Sequence, residues 1–132
     1  MPEKMTWTVT IQVAGGPTLA DSQTMTVDAY DLMEVSVPDN AAGKEVQVQP
    51  GEASQVRLLL IKSSAYGDKL TYSLGAAEAD EAQRIPLDTL QVLVGKGSVG
   101  LYGKPPQTFF FYNTLGQDAT VTICVGRLAT TV

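Results

Sequence analysis

Between Met5 and Val13 the chain alternates apolar and polar residues without a break. Met5, Trp7, Val9, Ile11 and Val13 take the odd positions, and Thr6, Thr8, Thr10 and Gln12 the even ones. A period of two places the first set on one face of a β-strand and the second set on the other. An amphipathic helix would need a period near 3.6, so this rhythm constrains the fold more than any other feature. The expectation is a strand whose odd face, Trp7 included, lies in a core.

The rhythm returns along the chain. Ala14-Gly15-Gly16-Pro17 ends the first strand in a turn, and further strands are expected at Gln23–Val27 and Leu32–Val37. Pro38 to Gly43 reads as a loop, Glu45–Gln49 as a short strand, and Pro50-Gly51 as a turn. Gln55–Lys62 is apolar on both faces past Arg57, which suits a central strand covered on both sides, with a buried helix as the alternative. Tyr66-Gly67-Asp68 then links it to the alternating Lys69–Leu74, as a hairpin. After an acidic stretch from Gly75 to Arg84, strands are expected at Ile85–Leu87, Leu90–Val94, Ser98–Tyr102, Gln107–Tyr112 and Ala119–Val125. Gly103-Lys104-Pro105-Pro106 is a stiff connector. Many short strands with frequent turn signals point to one all-β domain over residues 1–132. It is expected to be an antiparallel β-sandwich, jelly-roll-like, with a β-barrel as the alternative.

Composition bears on chemistry. With 132 residues and 44% hydrophobic content, the chain has material for a core without disulfides. It has no histidine, so the commonest general base and metal ligand are missing. Its single cysteine, Cys124, sits in a strand-like run and reads as a small buried or half-buried residue. The net charge is −5, and the nine Lys and Arg residues are scattered, which argues against nucleic acid and against anionic membranes. No apolar run has the length of a spanning helix, and Met1-Pro2-Glu3-Lys4 shows no export pattern, so synthesis in the cytoplasm is expected.

Five patterns invite a functional reading. Gly95-Lys96-Gly97-Ser98-Val99-Gly100 matches G-x-G-x-x-G. A dinucleotide site needs a helix to follow, and Leu101-Tyr102-Gly103-Lys104-Pro105-Pro106 does not supply one, so a glycine-rich hairpin turn is expected. Glu78, Asp80 and Glu81 cluster without the order of a calcium loop, and Asp28 and Asp31 read as turn aspartates rather than a catalytic pair. No enzyme and no cofactor or metal site is expected. Tyr30, Tyr66 and Tyr102 fall at expected turns and are the rings available for stacking on a sugar or small ligand. All three phenylalanines stand together in Phe109-Phe110-Phe111-Tyr112. In a strand that run is apolar on both faces, so it is either central between two layers or offers one aromatic pair to another subunit.

The last third resembles small all-β accessory proteins of tailed-phage particles, such as head decoration proteins. The resemblance lies in Leu90-Gln91-Val92-Leu93-Val94-Gly95, Pro106-Gln107-Thr108-Phe109, Asn113-Thr114-Leu115 and Ala119 through Arg127. It covers about forty residues and transfers no functional residue. It implies a non-enzymatic structural protein in a virion that associates through protein–protein contacts. The partners would be copies of itself, with a trimer favoured for a capsid lattice, and a capsid protein. Met1–Lys4 and Ala129–Val132 are the segments expected to reach a neighbour. A carbohydrate- or ligand-binding sandwich module is the alternative.

Overall fold

A computed structural model describes residues 3–48, 56–75, 83–102 and 108–128. Among the described residues ten strands run in order: β1 (Glu3–Gln12), β2 (Thr18–Val27), β3 (Ala29–Val37), β4 (Ala42–Gln47), β5 (Val56–Ser63), β6 (Gly67–Leu74), β7 (Ile85–Leu87), β8 (Gln91–Val94), β9 (Thr108–Asn113) and β10 (Ala119–Arg127). The expected acidic run Glu78, Asp80 and Glu81, the Pro50-Gly51 turn, the Gly103–Pro106 connector and the tail from Ala129 lie outside the described residues.

β3 to β10 form two four-stranded antiparallel sheets, ordered β3-β10-β5-β8 and β4-β9-β6-β7. β3 pairs with β10, β4 with β9, β5 with β8 and β6 with β7. This nested pairing is a long hairpin wrapped into two layers, the jelly-roll arrangement. The all-β sandwich expected from the alternation is therefore the fold, with two separate sheets rather than one closed barrel.

The core lies between the layers. Leu59 and Ile61 of β5 and Val121, Ile123 and Val125 of β10 face Leu70, Tyr72 and Leu74 of β6 and Phe109 and Phe111 of β9. Phe109 and Phe111 stack with ring centroids 6.1 Å apart, and Tyr72 lies 5.9 and 5.8 Å from them. Burying one such ring contributes about 2–3 kcal/mol.

Several expectations need correction. β5 and β6 do not form a hairpin: they belong to different sheets, and Ser64 to Tyr66 turn the corner between layers. Backbone pairing explains it, because Ser64 N–H already donates to Thr120 O of β10 and so continues the β5–β10 ladder past Ser63. Ser98–Tyr102 is not a strand. Lys96–Val99 is a single α-helical turn, α1, continued by a 3-10 turn at Gly100–Tyr102. A helix does therefore open at the glycine-rich segment, but it is one turn long and follows a strand of an antiparallel sheet. The parallel crossover that a dinucleotide site requires is absent there. The strands at the chain start are longer than expected, since β2 begins at Thr18 and β3 at Ala29.

The largest correction concerns β1. It pairs with β2 in an unbroken register from Glu3↔Val27 to Gln12↔Thr18, and these two strands form a separate sheet. This hairpin is an arm, joined to the sandwich where β2 bends at Asp28 into β3. The odd face of β1 does not enter the sandwich core. Val9 is 42%, Ile11 56% and Val13 49% exposed, and Leu19 across from Ile11 is 61% exposed. Trp7 is only half-buried.

Candidate functional site: the arm and the outer-face groove

The outer face of the β3-β10-β5-β8 sheet is unusual for a sandwich. Side chains alternate across each strand, and cross-strand partners share a face. Register therefore builds rows on the outer face. One row runs Leu32, Cys124, Leu60, Val92, and the next runs Tyr30, Gly126, Leu58, Val94. The row on the other side of the first is polar, with Glu34, Thr122 and Lys62. Two adjacent apolar rows on a face that would normally meet water require a cover.

The base of the arm covers one row. Met5 and Val27 sit over Gly126 and Leu58, leaving Leu58 only 6% exposed and Val27 fully buried. Asp28 N–H donates to Arg127 O at 2.9 Å and ties the bend to β10. The guanidinium of Arg127 bonds the Asp31 carboxylate on the adjacent strand, with both side chains mostly buried.

Over the other row the arm leaves a groove of about 500 Å³. Its floor is Leu58, Leu60, Leu90, Val92 and Cys124, and its wall is the run from Met5 to Thr10. The lining carries no charged side chain. Trp7 belongs to this wall, and its indole Nε1 is buried without an acceptor among the described residues. Burial pushes the Cys124 thiol above its ordinary value, and the Asp31 carboxylate adds to the shift. The thiol is thus mostly protonated at neutral pH and a poor nucleophile.

The aromatic candidates are dispersed. Phe109 and Phe111 are fully buried in the core and have no surface to offer a neighbour. Phe110 is half-buried on the outer face of its sheet. Tyr112 is 7% exposed because the Arg84 guanidinium lies 3.6 Å from its ring centroid, a cation–π contact. A polar cleft of about 290 Å³ borders this pair, lined also by Asp68, Lys69, Thr71 and Thr114.

Tyr30 and Tyr66 are 53% and 41% exposed but stand on different elements, an edge strand and an inter-sheet corner. Tyr66 accepts a hydrogen bond from Ser63 N–H at 3.2 Å. Tyr102 turns inward. Tyr72 donates to Gln91 Oε1 at 2.5 Å, and its hydroxyl lies 2.8 Å from that of Tyr102. With its single proton committed to Gln91, Tyr72 accepts from Tyr102. The three tyrosines therefore do not build one stacking platform.

Among the described residues no three Cys, Asp or Glu side chains gather to hold a metal ion. None of the described helices is long and apolar enough to cross a membrane. Sequence reasoning found the apolar face of β1 but not its place, nor the groove, because the outer rows join residues from four strands far apart in the chain. A signal was present: Leu58 and Leu60 make the outward face of β5 as apolar as its inward face. No family model, no curated protein and no solved structure matches the chain.

Proposed function

We propose that this chain is a non-enzymatic assembly protein that works through protein–protein contacts, as a virion decoration or accessory protein does. One observation carries the reading: a rigid sandwich presents an arm whose apolar strip, Val9, Ile11, Val13 and Leu19, is uncovered. Contiguous exposed apolar surface of this kind marks contact sites. The jelly roll is shared by capsid proteins and lectins alike, so the fold is compatible with the reading by analogy and does not select it. The virion setting rests on the resemblance of the last third.

Mass measurement by light scattering over a dilution series, beside a glycan panel, tests the proposal. A dilution-resistant homo-oligomer with no saturable sugar binding is the expected result. A monomer that binds a glycan saturably overturns it in favour of a ligand-binding module.

A further inference from the structure

We propose that the groove beside β1 receives the β1 strand of a second copy of this chain, antiparallel, joining two arms into one four-stranded sheet. The inference rests on the assembly reading and names the partner and the surface.

Geometry gives the first argument. The groove wall is six consecutive residues, Met5 to Thr10, drawn from both faces of β1, and none from β2. Residues from both faces of one strand can line a single space only along that strand's edge. The groove therefore lies along the β1 edge that does not pair with β2. Backbone groups on such an edge are a template for another strand.

The second argument compares the edges. Natural sheets protect theirs with charges, proline, bulges or short length. β4 carries Lys44 and Glu45 and an irregular register between Ala42 and Lys44. β7 has three residues, one of them Pro86, and β8 has four. β3 carries Asp31 and Glu34, and β2 carries Asp21. From Met5 to Val13 the arm strand has no charge and no proline, and its register with β2 is unbroken. Charge on β1 is confined to Glu3 and Lys4 at its base, which leaves Met5 to Gln12 the longest uncharged run among these edges.

The third argument selects a second copy as the occupant. Directly opposed residues of antiparallel strands share a face. Pairing β1 with itself about Val9 sets Trp7 against Ile11 and Met5 against Val13, so apolar residues meet apolar residues, while Thr8 meets Thr10 and Thr6 meets Gln12. The arm already uses such threonine pairing, with Thr6 Oγ1 3.0 Å from Thr24 Oγ1. A chain of net charge −5 repels its copies over most of its surface, and neither the run from Met5 to Val13 nor the groove lining carries a charge to do so. The pairing also explains why the strip outruns its own sheet. The base half of each arm lies over its own outer face, and the tip half reaches the groove floor of the partner, where Leu60 and Val92 wait. The contact is two-fold, so it links copies in pairs rather than threes.

The test uses the full chain in a Cys124→Ser background. Val9→Cys is expected to cross-link to itself under mild oxidation, since residue 9 lies on the two-fold axis, while Leu19→Cys on β2 is not. Ile11→Lys and Val13→Lys, at exposed positions, are expected to weaken the dimer at least tenfold with an unchanged circular dichroism spectrum. A dimer or larger species that ignores both lysines and does not cross-link through residue 9 overturns the arm pairing and leaves the assembly reading standing. A monomer at every concentration overturns the pairing whatever the glycan panel reports.

Discussion

Met5 occupies the space that a side chain at Gly126 would need: its Sδ lies 2.7 Å from where a β-carbon on residue 126 would be. The glycine in β10 is thus the seat of the arm, and a close approach of this kind is what glycine permits. Val27 closes the same seat at 3.4 Å. A methyl group can be met by a shift of the flexible thioether, whereas a branched side chain cannot. Gly126→Val is therefore expected to lift the arm. Amide hydrogen exchange should rise by at least tenfold across β1 and β2 while the β5, β9 and β10 amides keep their protection. Equal loss of protection everywhere would show that the arm and the sandwich are one cooperative unit.

Cys124 reports on the same seat from the groove floor. Its raised pKa makes its alkylation at pH 7.5 slower than that of an exposed cysteine. Trp7→Ala removes part of the wall and is expected to speed the reaction. Mass spectrometry of iodoacetamide-treated samples reads both rates, and an unchanged rate in the variant would refute the placement of Trp7 beside the thiol.

Asn113 holds one end of the sandwich together. Its Nδ2 donates to Val37 O at 3.0 Å and Gln117 O at 2.9 Å, and its Oδ1 accepts from Leu115 N–H at 2.9 Å. Its backbone also exchanges bonds with Asn40 and Ala41. The side chain is fully buried, so truncation strands carbonyls that water does not easily reach. Asn113→Ala is expected to cost about 3 kcal/mol. Urea denaturation measures it, and a loss below about 1 kcal/mol would mean that the two loops do not depend on this amide.

Alkaline stability should depend on Tyr72. Burial pushes its hydroxyl far above the ordinary tyrosine range, with the neighbouring Tyr102 adding to the shift, and burial raises Tyr102 as well. The folded chain therefore holds protons that the unfolded chain releases near pH ~10. Their contribution is complete below that value and declines as pH rises above it toward the folded-state values. Unfolding free energy should fall above pH ~10 by up to about 1.4 kcal/mol per pH unit for each tyrosine. Tyr72→Phe is expected to be less stable at neutral pH, since it leaves Gln91 Oε1 without its donor, and to lose less as pH rises. Parallel slopes for the two proteins above pH ~10 would contradict the assignment.

The alternation in β1, β6 and β10 was readable because a strand's period is local, written in neighbouring side chains. The two-sided apolar character of Gln55–Lys62 past Arg57 also showed in the sequence, and β5 does pair on both edges, with β10 and β8. Ser98–Tyr102 was misread as strand because its short apolar pattern, Val99-Leu101, fits either period, and the turn was decided by the chain's exit from β8. The hairpin expected at Tyr66-Gly67-Asp68 failed for a different reason. Turn chemistry says that the chain reverses, but not whether the next strand joins the same layer.

By itself the sequence determined that this chain forms strands, where most of them lie, and which side chains share a face, since these follow from bond geometry within a few residues. Only the tertiary structure decided what meets each face. Met5 to Val13 has the pattern of a core strand, yet its odd face stands over Gly126 at one end and is open at the other. The cover of an apolar face is supplied by residues a hundred positions away, and that pairing is a property of register and layer, which no local pattern contains.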